Sequence, residues 1–311
     1  MPGAYAHITL VNILKEPGRL EAIPGFPEDA MTSVMDYFKF CELGAVSPDY
    51  PYLTLGDSGS ARWADAMHYT RTGGMIRAGA ERLQGMGGEP RRKCLAWLLG
   101  YAAHVATDVT IHPVIERKVG VYAENKERHR ICEMNQDAYI FPRLKLGEVG
   151  LSEHLDSGIL KCCEPANKHL MDNDIVALWT AMLKEVHPQE FASNPPDMHK
   201  WHKRFKIMLD DLGEEGNKLF PFARHVATGL GLTYPAVRDI DPQYLHGLEL
   251  PGGAQKKDYD PIYESATANT ARVWQSIAAG MTAGNAAPLA WIAAWNLDTG
   301  RDENNNLVFW S

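Results

Sequence analysis

Apolar residues recur at three- and four-residue steps along most of the chain, the spacing that lines one face of an α-helix. On that pattern helices are predicted over 28–43 ("EDAMTSVMDYFKFCEL"), 61–86, 90–112, 129–141, 172–186, 197–216 and 259–282. Strict alternation with period two is not sustained, and "HITLVNIL", residues 7–14, is the short strand-like candidate. Pro and Gly fall between the helical runs, at "EPGR", "IPGFPE", "SPDYPYLTLGDSGS", "GMGGEP" and "ELPGGAQKKDYDP". Pro113 directly follows His112 and is expected to end or kink the helix there, because the residue before a proline is pushed out of the right-handed helical region. Residues 251–260, "PGGAQKKDYD", read as a mobile loop or a late boundary. No internal repeat or low-complexity segment is present. The expectation is an all-α protein with long connecting loops, a single helical domain over 1–311. Within it a chemically rich part of about 1–145 precedes a helical region of about 146–311 with no assignable role.

One predicted helix carries an unusual stripe. In "AAHVATDVTIHPVIERK", residues 102–118, His104, Asp108 and His112 follow one another at intervals of four. Four residues advance a helix by about 400°, so the three side chains share an arc of about 80° along roughly 12 Å of axis. That length is too great for one ion to take all three, and it suits two metal positions with Asp108 between them. The competing reading is a set of hydrogen-bonded core residues. Burying three unpaired polar groups on one stripe would cost kcal/mol each, which leaves the two readings of this trio balanced until the rest of the chain is considered.

Composition narrows the function classes. The chain is 45% hydrophobic and 23% charged, ordinary for a globular protein, and its formal charge of −8 argues against a duplex-DNA binder, which needs a basic surface. The apolar stretches "CLAWLLGYAAHVA" and "AAPLAWIAAW" are shorter than the roughly 20 residues of a membrane span, so no transmembrane segment is expected. "MPGAYAHITLVNILKEPGRLE" lacks the basic and apolar regions of a secretory signal, and a cytoplasmic location is expected. The five cysteines, Cys41, Cys94, Cys132, Cys162 and Cys163, show no CxxC spacing and read as reduced thiols.

Further metal-competent residues lie in the first 133 positions. His129 and Glu133 in "RHRICEMNQD" again stand four apart, and His7, Asp49 and His68 lie upstream. Imidazoles and carboxylates without thiolates are a donor set for catalytic zinc. Taken in order, His7, Asp49, His68, "HVATD" (His104, Asp108), His112 and "HRICE" (His129, Glu133) resemble the zinc-dependent phospholipase C and S1/P1 nuclease superfamily. The resemblance covers roughly residues 5 to 140. It implies a multi-helix phospholipase C/P1 nuclease-like fold holding up to three zinc ions in a cleft. Carried over by residue, Asp49, His68, His104 and Asp108 would hold one zinc. Asp108 would bridge to a second, held also by His7 and by the amine and carbonyl of the first residue. His112, His129 and Glu133 would hold the third. This chain starts Met1-Pro2, and removal of Met1 would leave Pro2 five residues ahead of His7.

The resemblance implies phosphodiester hydrolysis by hydroxide attack on phosphorus, with Asp49 as ligand and base and Tyr50 lining a headgroup pocket. A phospholipid is the expected substrate class. Single-strand nuclease or 3′-nucleotidase activity, hydrolysis of a soluble phosphodiester, and a non-catalytic zinc scaffold are the alternatives. An adjacent His-Asp doublet, HExxH and a P-loop are all absent. Asp65, one turn before His68, and Asp137, one turn after Glu133, are candidates to orient ligands, against duller readings as a cap or surface charge. Trp63, Tyr69 and Trp97 are expected in the core. His154, His169, His187, His199, His202, His225 and His246 form no ligand set, with His199 and His202 expected on a solvated face. "WIAAWNLDTGRDENNNLVFW" near the end is aromatic enough to pack on a neighbour.

Overall fold

The computed structural model of the chain describes residues 3–54, 56–146, 158–213, 234–253, 255–281 and 286–310, the side chains of 208–213 excepted. Met1, Pro2, His154 and His225, singled out above, lie outside the described residues. The architecture is all-α. In chain order the helices are α1 (Ala4–Lys15), α2 (Pro17–Glu21), α3 (Glu28–Asp36), α4 (Phe38–Val46), α5 (Ser58–Tyr69), α6 (Thr72–Gln84) and α7 (Gly88–Val119). They continue as α8 (Lys126–Ile140), α9 (Asn173–Val186), α10 (Pro188–Ser193), α11 (Met198–Gly213) and α12 (Tyr259–Gly280). Two small antiparallel hairpins complete the described elements, β1 (Cys163–Glu164) with β2 (Asn167–Met171) and β3 (Leu248–Glu249) with β4 (Lys256–Lys257).

Five expectations about elements are corrected. "HITLVNIL" lies inside α1, not in a strand: every residue from Ala4 to Leu14 except Asn12 is buried, so a helix covered on nearly all sides hides its own periodicity. The run 28–43 divides at Tyr37 into α3 and α4, and 61–86 divides at Thr70–Arg71, where Arg71 takes a left-handed φ of 52°. Residues 251–253 and 255–260 belong to the β3–β4 hairpin and the start of α12, with the Leu250 N–H donating to the Gln255 carbonyl at 2.9 Å. Finally, of the end or kink expected at Pro113, the end does not occur: α7 runs through it to Val119.

The 32 residues of α7 form the axis of the fold, with α1, α3, α4, α6, α8, α9 and α12 all packed on it. By length and composition it could cross a membrane, but its apolar window is wholly buried inside the protein, as a core helix is. The closest packing is with α4. A Cβ on Gly100 would meet the Cys41 carbonyl at 1.9 Å, and one on Gly44 the Trp97 carbonyl at 2.1 Å. Two facing glycines therefore let the backbones touch, and the end of α4 runs along the polar stripe of α7.

On another side, Trp274 of α12 donates its indole N–H to the Leu99 carbonyl at 2.8 Å. The core extends from Tyr5 through Trp97 and Trp179 to Trp274 and Trp295. Beyond α12 the chain returns in an irregular segment. Thr72 exchanges hydrogen bonds with the Trp295 backbone at 2.7 and 2.8 Å, the Leu297 N–H donates to the His68 carbonyl at 3.1 Å, and the Trp310 indole donates to the Thr110 carbonyl at 2.7 Å. Trp63 and Trp97 are buried as expected, whereas Tyr69 is 41% exposed. His202 is fully buried against Tyr50, not solvated, because α11 packs its His202 face on the Ser47–Leu53 turn.

Candidate metal centre

His104, Asp108 and His112 project from successive turns of α7 into the interior. His7 arrives from α1, Asp49 from the 3-10 turn Ser47–Leu53 that continues α4, His68 from the end of α5, and His129 and Glu133 from α8. All eight side chains are buried; Asp49 is the most exposed, at 4%.

Two groups of three are compact, Asp49–His68–His104 and His7–His104–Asp108. Within them His7 Nε2 lies 3.2 Å from Asp108 Oδ1, His104 Nε2 3.2 Å from Asp108 Oδ2, His68 Nε2 3.3 Å from Asp49 Oδ1, and His104 Nε2 3.4 Å from His68 Nε2. Donors bound tetrahedrally at about 2.0–2.1 Å are separated by roughly 3.3–3.4 Å, so these spacings suit zinc. His104 belongs to both groups, and the two oxygens of Asp108 face opposite sides. The remaining three residues are looser. His129 Nδ1 lies 2.9 Å from Glu133 Oε1, while His112 Nε2 is 3.8 Å from the same oxygen and 4.0 Å from Asp108 Oδ1.

Backbone carbonyls decide which imidazole nitrogen faces the group. Nδ1–H of His68 donates to Ala64 at 2.7 Å, that of His104 to Ala45 at 2.9 Å and that of His112 to Leu297 at 2.7 Å. Each ring therefore turns Nε2 toward its neighbours, the arrangement that metal-ligating histidines share. Among the described residues, several of these buried atoms have close charged neighbours but no well-formed hydrogen bond: both nitrogens of His7, Asp49 Oδ1, both oxygens of Asp108 and His112 Nε2. An unsatisfied buried polar atom costs about 1–3 kcal/mol. So many at one place fit a cation that supplies what the protein withholds.

The electrostatics agree. Burial would raise the Asp108 carboxyl, but His104 and His112 hold it well below the usual carboxylate range. Asp49 is likewise lowered against burial by His104 and His68. Burial alone would lower His104, yet Asp108 and Asp49 prevail and raise it to about 9, while burial pushes His7 and His112 down. The carboxylates thus favour a positive charge at His104, the place where the two groups meet.

Other expected residues fall out differently. Tyr50, expected to line a headgroup pocket, is fully buried and packs on Phe205, with its hydroxyl 3.4 Å from His202 Nδ1. Tyr52, two residues on, has its ring 5.9 Å from that of His68. Asp65 is exposed and accepts from the Tyr52 hydroxyl at 2.7 Å, so it does not orient His68. Asp137 acts next to a ligand: buried, it accepts the Ala6 N–H at 2.9 Å and the Tyr234 hydroxyl at 3.0 Å, tying the start of α1 one residue before His7.

Sequence reasoning missed the carbonyls of Ala45 and Leu297, which no side-chain pattern reveals. It also passed over Arg130, whose Nη1 lies 2.9 Å from Glu133 Oε2 and whose i, i+3 spacing was readable. Three partly exposed tyrosines stand over the buried group: Tyr52, Tyr69 with its ring 6.0 Å from His68, and Tyr122 at 5.0 Å from His129.

No curated protein and no solved structure matches the chain. The family model for zinc-dependent phospholipase C does match, over residues 6–188, and this span contains all eight of the converging donors. It covers more than half of the 311 residues, and the chain belongs to the zinc-dependent phospholipase C family.

Proposed function

We propose that the protein is a zinc-dependent phosphodiester hydrolase acting on phospholipids. The observation that carries this reading is the set of buried imidazole and carboxylate atoms spaced 3.2–3.4 Å apart, the edge lengths of tetrahedral zinc. Asp49, His68, His104, Asp108 and His7 are the residues to hold paired ions, and His112, His129 and Glu133 a third. Bound zinc would supply activated water and neutralise charge on the phosphate oxygens.

The chain's own groups do the rest. Asp49, with Oδ1 lacking a hydrogen-bond partner, is suited both to ligate and to accept a proton from water. Glu133 is held as a ligand alone, since Arg130 and His129 occupy its oxygens. The partly exposed side chains beside the buried group favour a lipid headgroup over nucleic acid. Tyr52, Tyr69 and Tyr122 stand there with the carboxylates of Asp65 and Asp298, to which Tyr52 and Tyr69 donate, a surface that attracts a cationic headgroup and repels a polyanion.

The test begins with zinc per chain by elemental mass spectrometry, on protein purified without added metal or a histidine tag. Phosphatidylcholine vesicles, single-stranded DNA and a soluble phosphodiester are then offered in parallel. Two to three zinc equivalents with vesicle hydrolysis releasing a phosphorylated headgroup are expected. Cleavage of DNA alone would move the protein to the nuclease alternative, and absence of zinc after incubation with it would end the hydrolase reading.

A further inference from the structure

We propose that the turn Leu297–Gly300 is a positioning element of the metal centre, in which the Leu297 carbonyl and the Asp298 carboxylate together hold His112 from behind. The inference rests on the zinc reading above. It concerns residues well beyond position 188, where the family match ends.

His112 Nδ1 donates to the Leu297 carbonyl at 2.7 Å, and Asp298 Oδ1 lies 3.7 Å from the same nitrogen. With Nδ1 committed, Nε2 is the nitrogen turned toward Asp108 and Glu133. The carbonyl that takes the N–H fixes the ring's orientation, and the carboxylate charge 3.7 Å behind it increases the imidazole's donor strength.

The turn is itself fastened on three sides. The Leu297 N–H donates to the His68 carbonyl at 3.1 Å, so one residue touches the elements of two ligands. Asn296 Oδ1 accepts from the N–H groups of Asp298 and Thr299, each at 3.0 Å. The Tyr69 hydroxyl donates to Asp298 Oδ2 at 3.0 Å, which leaves Oδ1 directed at His112.

Pro113 then gains a purpose. A proline inside a helix has no N–H, so the carbonyl four residues earlier loses its helical partner. That carbonyl belongs to Val109, and Gly300 lies against it: a Cβ there would sit 2.5 Å from Val109 O and 2.4 Å from Pro113 Cγ. Gly300 has φ +63°, a conformation side chains rarely adopt. The proline beside His112 thus opens a landing place on α7 that only a glycine turn can occupy, and the turn delivers Leu297 and Asp298 to the imidazole.

The test uses the full chain and Asp298→Asn, which is isosteric and keeps an acceptor for Tyr69 while removing the charge. Zinc is titrated against a competing chelator, and the metal-free proteins are melted in parallel. The expected result is a metal-free melting temperature close to wild type, with the weakest-bound zinc equivalent released about tenfold more readily. Unchanged affinity for every equivalent, with a zinc-loaded wild type, overturns this inference alone. A large drop in melting temperature with all equivalents weakened evenly also overturns it, since that is scaffolding. A wild type that takes up no zinc overturns the hydrolase reading and this inference with it.

Discussion

His104 and Asp108 stand one turn apart on α7 and meet at 3.2 Å, Nε2 to Oδ2, while the other oxygen of Asp108 is 3.2 Å from His7 Nε2. One carboxylate therefore serves two imidazoles from different helices. Asp108→Ala is expected to lose more than one zinc equivalent and to lower phosphodiester hydrolysis by roughly a hundredfold or more, beyond the usual effect of outer residues. Elemental analysis beside a rate measurement checks this. Loss of a single equivalent would show that Asp108 does not bridge.

Gly100→Ala should damage the centre from outside it. The added methyl would meet the Cys41 carbonyl at 1.9 Å, where backbone and not a flexible side chain must give way. Overpacking of this kind costs about 1–3 kcal/mol. Because α4 supplies the Ala45 carbonyl to His104 and leads directly to Asp49, displaced α4 should also weaken zinc binding. Denaturant unfolding and a zinc competition assay should change together.

Asp137→Ala removes the acceptor of the Ala6 N–H and the Tyr234 hydroxyl in a buried place. A loss of about 1–3 kcal/mol is expected from the groups left unpaired. Since Ala6 precedes His7, the zinc equivalent that depends on His7 should become the most labile. Equal retention of all equivalents would separate this cap from the metal centre.

His202 sets a pH dependence of stability. Burial first, then Lys206, His199 and His169, lower it from 6.5 to about 4. Between pH 6.5 and about 4 the unfolded chain takes up the proton and the folded chain does not. The stability this residue contributes is thus fully present above pH 6.5 and is lost as pH falls through about 4. The total is on the order of 2–3 kcal/mol. Unfolding of His202→Gln across this window should show a shallower acid slope than wild type, and an identical slope would refute the assignment.

The helical class and the polar stripe were legible because both depend on local spacing. His104, Asp108 and His112 lie on one face whatever surrounds them, since 3.6 residues per turn is a property of the backbone. His129 and Glu133 were readable for the same reason, and here they meet at 2.9 Å. The family resemblance supplied what spacing could not, the association of this stripe with His7, Asp49 and His68.

Elsewhere local reasoning failed where tertiary packing intervened. The segment "HITLVNIL" is apolar nearly all round because α1 is covered nearly all round, and a helix without a polar face has little period to detect. His199 and His202 stand among lysines in sequence, yet one face of α11 is pressed on Tyr50. Pro113 read as a helix end because the rule for the preceding residue is local, whereas Gly300 and Trp310 attend to the carbonyls around it from about 200 residues away.

What the chain determined by itself was therefore the set of donors and their order along helices. Chemistry resides in side chains, and helical geometry spaces them without help. Tertiary structure decided which nitrogen of each imidazole faces inward, which carboxylate lies between two histidines, and which distant turn stands behind His112. Those choices are made by backbone carbonyls, by glycines that allow two helices to touch, and by a C-terminal segment returning to α7. None of these carries a local signature, because a carbonyl is the same at every residue and only the fold brings it to a particular ring.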